Sequence, residues 1–187
     1  MRAAGFVLTG GRSSRLGRDK ALLPFAGATL VEWVAGQVRQ AAGTVRLVGA
    51  TERYSHLGIP LMEERYPGCG PLSGIEAALR EGGSEWSLVA ACDLPGLEAA
   101  FLKDLLDAAL DAAEADAVVA CEMGGRLEPL CAAYHAKLHA AVEAALAEGR
   151  FAVHKLLENR NIVRFPVAAG RLVSNINTAE EWRAWGQ

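Results

Sequence analysis

What the sequence lacks narrows it first. The four cysteines, Cys69, Cys92, Cys121 and Cys131, include no C-x-x-C pair, which argues against a zinc pattern, and 187 residues is the wrong length for a disulfide scaffold. Reduced thiols and a cytoplasmic protein are expected. No apolar run approaches the ~20 residues of a membrane span. The opening MRAAGFVLTGG has one Arg and a short apolar run, and reads as a first strand rather than a signal peptide. There is no excess of positive charge: the net charge of −3 argues against a dedicated nucleic-acid binder. No linker, internal repeat or low-complexity stretch is visible, and the Ala-rich segment from Asp107 to Ala120 is ordinary helix composition. One domain over residues 1–187 is expected.

Short Val- and Leu-rich runs alternate with helical patterns. Strands are predicted over Ala3 to Leu8, Val45 to Val48, Trp86 to Cys92, Ala117 to Cys121, Leu130 to Tyr134 and Ile162 to Phe165. Helices are predicted from Leu30, behind a Thr29–Glu32 capping box and ended by Gly43, and over Leu72 to Leu79 with Pro71 at its first position. Further helices are predicted through Phe101 to Leu110, Lys137 to Glu148 and Val153 to Glu158, with a second capping box at Thr178 to Glu181. Strands alternating with helices imply an α/β fold of three layers, α/β/α, with a mostly parallel central sheet. Ligands bind such sheets at the carboxyl ends of the strands. Attention therefore falls on the segments after Leu8 and after Cys92.

After Leu8 comes TGGRSSRLGRDKALL. Gly10 and Gly11 let backbone approach a ligand and offer N–H groups to phosphate oxygens. Arg15 and Lys20 supply a guanidinium fork and a point charge. The spacing is neither the G-x-G-x-x-G of a dinucleotide fold nor a P-loop. A solvated basic loop is the plain alternative. After Cys92, Asp93 ends an apolar strand; it could hold Mg²⁺ against phosphate oxygens or cap the next helix.

The string G-G-x-S-x-R-x-G-x-D-K-A-L-L from Gly10 resembles the molybdenum cofactor guanylyltransferases (MobA-type), nucleotidyltransferases that activate a small phosphorylated molecule. YPGCGPLSGIEAAL from Tyr66, VAACDLPGL from Val89, EPLCAAY from Glu128 and NINTAEE from Asn175 resemble the family's later motifs, in order over nearly the whole chain. The resemblance implies a Rossmann-like nucleotidyltransferase fold and transfer of GMP from GTP to the terminal phosphate of molybdopterin, with release of pyrophosphate. It implies Mg²⁺ on Asp93 and catalytic roles for Arg15, Lys20 and Asp93. Nucleotide contacts are implied from Leu8, Thr9, Gly10, Gly11, Lys20, Glu64 and Asp93, and acceptor contacts from Gly74, Asn175 and Asn177. Glu64 is matched to a family acid by its distance from Tyr66-Pro67-Gly68, beside Glu63; a solvated acidic pair is the alternative. Partners implied are GTP, molybdopterin or its molybdenum form, and transient contacts with cofactor-insertion proteins and apo-molybdoenzymes, with no nucleic acid or membrane.

The chain departs from the family at Thr9, Leu16 and Ala179, where small or apolar residues replace an Ala, a Met and a Pro. It also carries Gly49-Ala50-Thr51 where the family commonly has an Asn that reads guanine. A cytidylyltransferase on the same pterin, another small-molecule nucleotidyltransferase and a non-catalytic cofactor-delivery protein are the rivals. Arg126 is read as a hairpin tip, the four His as structural, Trp33, Trp182 and Trp185 as core, and Cys92 as a small buried residue rather than a nucleophile.

Overall fold

The computed structural model describes residues 2–10, 19–49, 51–81, 83–121 and 125–167. The apolar opening run forms β1, Ala3–Leu8, buried along its whole length. Lys20–Leu22 makes a 3-10 turn, and Pro24–Phe25 (β2) pairs with Ala28–Thr29 (β3) in a small hairpin. Thr29 then caps α1, Leu30–Ala42. The predicted reciprocal box forms: the N–H of Thr29 donates to Glu32 Oε2 at 2.9 Å, and the N–H of Glu32 donates to Thr29 Oγ1 at 3.4 Å. Gly43 ends α1 with φ 76°, the left-handed turn that a residue with a Cβ adopts reluctantly.

The chain continues through β4 (Arg46–Val48), a single turn α2 (Thr51–Tyr54), β5 (Leu61–Met62), α3 (Pro71–Arg80), β6 (Trp86–Ala91) and α4 (Ala99–Asp111). It then forms β7 (Ala117–Cys121), β8 (Leu127–His135), α5 (His139–Ala147), α6 (Val153–Leu157) and β9 (Ile162–Pro166). The main sheet has seven strands in the order β5-β4-β1-β6-β8-β7-β9. It is parallel except for β8, which runs antiparallel to both β6 and β7.

The period of two along each strand sorts side chains to opposite faces. Val7, Leu88 and Ala90 join Val31, Val34 and Val38 of α1 and Leu102, Leu105 and Leu106 of α4. Phe6, Leu8 and Val89 join Leu72, Ile75 and Leu79 of α3, Val142 and Leu146 of α5, and Leu156 of α6. The fold is therefore the expected three layers. Each fully buried aliphatic in these two clusters is worth roughly 1.5–3 kcal/mol against exposure.

Two expectations need correction, and one alternative falls. The strand predicted from Leu130 begins earlier, at Leu127, and a register shift between Val119 and Ala120 absorbs the irregularity opposite Glu128 and Pro129. The helix predicted over Lys137 to Glu148 is split. A 3-10 turn at Ala136–Leu138, whose Lys137 N–H donates to His135 Nδ1 at 3.1 Å, precedes α5. Asp93 does not cap the following helix: α4 starts six residues later, at Ala99, whose N–H donates to Gln37 Oε1 at 2.9 Å. The short elements α2 and β5 were not anticipated.

Candidate active site at the carboxyl edge of the sheet

β1 and β4 end side by side. The N–H and the hydroxyl of Thr9 both donate to the carbonyl of Val48, at 2.8 and 2.9 Å. The donors of Thr9 are thus spent inside the sheet, and its carbonyl remains as the group it can offer a ligand. The carbonyl of Leu8 accepts from the N–H of Cys92 at 3.1 Å, tying the end of β1 to the turn that carries Asp93. Gly49 sits against this junction with φ 129°, and a Cβ there would stand 2.9 Å from Thr9 Oγ1 and 3.1 Å from the nitrogen of Gly10. Both the backbone conformation and the space demand glycine.

Lys20 lies near enough to Asp93 at this edge for its charge to act on the carboxyl. Burial holds the Asp93 carboxyl above its usual range, and the neighbouring Lys20 cation pulls it partly back. Lys20 opens the 3-10 turn behind Asp19, whose Oδ1 accepts from the Ala21 N–H at 3.1 Å. Asp19 Oδ2 accepts from the Tyr54 hydroxyl at 2.9 Å and faces Arg53 Nη1 at 3.5 Å. Cys92 lies in the same group of charges. Burial first, and then Asp93 and Asp19, push its thiol far up, so it has no thiolate to act as a nucleophile.

Beside these residues opens a cavity of about 520 Å³ lined by Gly10, Gly49, Glu52, Arg53, Glu63, Glu64 and Pro67. Glu64 is half-buried, and desolvation raises its carboxyl. A Cβ on Gly10 would lie 3.5 Å from Glu64 Oε1. Glu63 shares the cavity wall, and its carbonyl accepts from Arg80 Nη2 at 2.9 Å.

Of the residues expected at the site, Leu8, Thr9, Gly10 and Glu64 border the cavity or the strand end beneath it, and Lys20 and Asp93 form the charged pair next to it. Gly74 is set apart: it is buried in α3, where a Cβ would stand 2.8 Å from Leu8 Cδ2, so its smallness lets α3 close onto β1. Gly11, Arg15, Asn175 and Asn177 lie outside the described residues, as do Trp182, Trp185 and the second capping box. Tyr54, Arg53 and the capping role of Asp19 were missed. The sequence did carry one signal for them, an Asp immediately before a short helical turn. Tyr54 carried none, its partner being 35 positions away.

A second charged cluster lies between α3 and α5. Single ligand atoms of Glu76, His139 and Glu143 fall within 4.8 Å of one another, a set able to hold a metal ion. His139, expected to be structural, therefore has carboxylate neighbours. Arg65 Nη1 stands between the two acids, 3.8 Å from Glu76 Oε1 and 3.7 Å from Glu143 Oε1, and Arg80 Nη1 lies 3.2 Å from Glu76 Oε2. The charges of this cluster are already matched by arginines. Trp33 packs edge-on against Phe25 with centroids 5.6 Å apart and donates from Nε1 to the Pro95 carbonyl, in keeping with a packing role. Arg126 lies exposed in the connection between β7 and β8. Among the described residues no helix is long and apolar enough to cross a membrane.

Comparison with known proteins places this geometry. The family model of the MobA-like NTP transferase domain matches residues 5–163. A Carboxydothermus hydrogenoformans protein named probable molybdenum cofactor guanylyltransferase is 35% identical over 159 residues, which is 85% of this chain and 74% of that protein. A Mycobacterium marinum protein of the same name is 34% identical over 184 residues, 95% of this chain and 90% of the relative. The solved structure of molybdopterin-guanine dinucleotide biosynthesis protein A from Archaeoglobus fulgidus superposes with a TM-score of 0.82 at 27% identity, covering 97% of this chain and 96% of that one.

Proposed function

Since the chain belongs to the MobA-like NTP transferase family, we propose that it transfers GMP from GTP to the terminal phosphate of molybdopterin, with or without bound molybdenum. An oxygen of the acceptor phosphate forms a bond to the α-phosphorus of GTP, the bond from that phosphorus to the bridging oxygen breaks, and pyrophosphate leaves with the electron pair. The acceptor is already anionic, so no protein nucleophile is required, and the far-raised thiol of Cys92 supplies none. The work left to the protein is positioning and charge stabilisation.

The single observation that carries this reading is the Lys20–Asp93 pair at the strand ends, next to a cavity lined by carboxylates. A binding protein needs a cation for the phosphates; it has no need of a desolvated acid beside that cation. Lys20, with Arg15, holds the departing β- and γ-phosphates. The Thr9 carbonyl and the backbone at Gly10 and Gly11 border the nucleotide. Glu64 accepts from the N–H donors on the edge of guanine, a role its half-buried carboxylate fits. Asn175 and Asn177 belong to the acceptor side, and Gly74 acts there only indirectly, by letting α3 close on Leu8 at the end of β1. A partly buried, acceptor-only carboxylate at a strand end suits a hard cation that takes its other ligands from substrate phosphates and water. Asp93 would hold such a Mg²⁺, whose chemistry when bound is to screen the repulsion between the two anions. On this reading the work is done in the cytoplasm, with hand-over to cofactor-insertion proteins and apo-molybdoenzymes.

Pyrophosphate release from GTP, CTP, ATP and UTP, with and without the pterin, tests the reading, alongside thermal shifts with Mg²⁺. A ligand of the native state at a hundred times its dissociation constant adds ~2.7 kcal/mol of stability. GTP alone should give that shift, and acceptor-dependent pyrophosphate. Release from CTP instead would make the chain a cytidylyltransferase. Binding without release would make it a delivery protein.

A further inference from the structure

Beside the charged edge lies a buried phenol with no part in the reaction just described. Tyr54 ends α2, and its ring, 1% exposed, is packed in the cluster that α1 and α4 build against the sheet. An apolar ring of that shape would fill the same space. The hydroxyl makes one specific bond, donating to Asp19 Oδ2 at 2.9 Å. Asp19 is then held through both oxygens: Oδ2 by Tyr54, with Arg53 at 3.5 Å, and Oδ1 by the Ala21 N–H at 3.1 Å.

Lys20 sits between Asp19 and Ala21. A carboxylate anchored on one side to the core and on the other to the N–H one residue beyond Lys20 fixes the backbone from which the lysine side chain springs. The lysine itself has a flexible four-carbon stem and cannot supply that precision. The same α2 carries Glu52 and Arg53 into the cavity wall. One turn of helix thus touches the cavity on one side and, through Asp19, the root of Lys20 on the other. Burial and the adjacent Asp19 keep the phenol protonated and donating.

We propose that Tyr54 and Asp19 are positioning residues for Lys20, and that their hydrogen bond ties the cavity wall formed by α2 to the phosphate-holding cation. The inference rests on the nucleotidyl-transfer reading only in taking Lys20 as a group that meets the nucleotide phosphates. A displacement of 1 Å can cost about 100-fold in rate; losing one anchor of two should cost about tenfold.

Tyr54→Phe keeps the ring and removes the donor. Pyrophosphate release and calorimetric GTP binding are measured for Tyr54→Phe in the native background and in Lys20→Met, with thermal unfolding of every variant. The expected result is a fall in kcat/KM, and a weakening of GTP binding, of about tenfold where Lys20 is present. In Lys20→Met the same change should cost less than about twofold. Asp19→Ala, which reaches the same bond from its more exposed end, should show the same dependence. Equal losses in both backgrounds would mean a structural role and overturn the inference, as would no loss in either. If the wild-type protein binds GTP without releasing pyrophosphate, the activity reading fails and the binding cycle alone decides the inference. If GTP fails to bind, CTP is used in its place. Should neither bind, both readings fall.

Discussion

Two groups of acidic side chains in this protein are handled in opposite ways. Between α3 and α5, Glu76 is fully buried, yet it has two cations beside it, Arg80 at 3.2 Å and Arg65 at 3.8 Å, and the His139 ring at 3.5 Å. At the carboxyl edge of the sheet, Asp93 and Glu64 are less enclosed, yet burial raises both carboxyls, with Lys20 pulling back on Asp93 and, among the described residues, no counteracting cause for Glu64. Burying a charge without enough compensation is costly and is retained where something else repays it. The α3–α5 cluster is complete in itself and serves the fold. Among the described residues the edge is under-compensated, which suits a place where cations and base donors arrive with the substrates.

The largest expected effect separates the two regions. Asp93→Asn should cut turnover by about 10²–10³, roughly 2.7–4 kcal/mol of transition-state stabilisation by analogy with losing one preorganised oxyanion-hole donor. It should leave the melting temperature unchanged or slightly higher, because a desolvated charge is removed. Pyrophosphate release and calorimetry on the same preparation check both halves. A variant that melts early with near-normal turnover would reverse the assignment and make Asp93 a structural acid.

Glu76→Ala should do the converse. Removing one partner from a buried ion pair costs about 3–5 kcal/mol. Here the cost should be about 2–3 kcal/mol, because Arg65 is 56% exposed and can turn to water. The melting temperature should fall by about 5–10 °C, with kcat/KM within about twofold of the original below the transition. The same pair of variants decides whether Glu76, His139 and Glu143 take a metal. In Asp93→Asn, millimolar Mn²⁺ or Mg²⁺ should leave the melting temperature where it was. A rise that Glu76→Ala abolishes would erase the contrast between the regions.

Legibility in the sequence follows the same divide. The long elements could be read because they obey local rules: the apolar run of β1, the Thr29–Glu32 box, Gly43 at the end of α1, Pro71 at the start of α3. So could the two strand ends that carry Gly10 and Asp93, since the place of binding in a parallel sheet is a property of its topology. What could not be read depends on distant partners. Asp19 reaches Tyr54 across 35 positions, and Gly49 is required by Thr9. His139 meets Glu76 only because α3 and α5 pack together. The short α2 and β5, of four and two residues, have no periodicity to reveal them, and they supply a wall of the cavity and an edge of the sheet. Local chemistry announced the cation and the acid. The cavity beside them is a product of packing.

The smallest effect is the most specific to the edge. Burial places the Glu64 carboxyl in the folded protein above its ordinary value of 4.5. The native state therefore holds that proton more tightly than the unfolded chain does. The resulting stabilisation is complete below pH 4.5 and is lost as the pH rises through the folded value. At neutral pH the ionised group is a net cost, so Glu64→Gln should melt higher than the original protein. The gain should be under about 1 kcal/mol, since the side chain is half exposed and screened by water. Following the difference in melting temperature from pH 7 downward should show it shrink as the carboxylate protonates. GTP binding then gives the measurement its functional meaning. An amide can accept from one donor on guanine but presents its own N–H to the next, so affinity should drop even as stability rises. Higher stability with unchanged GTP affinity would leave Glu64 an ordinary desolvated acid at the cavity rim, and the reading of guanine would pass to Glu63 or Glu52 on the same wall.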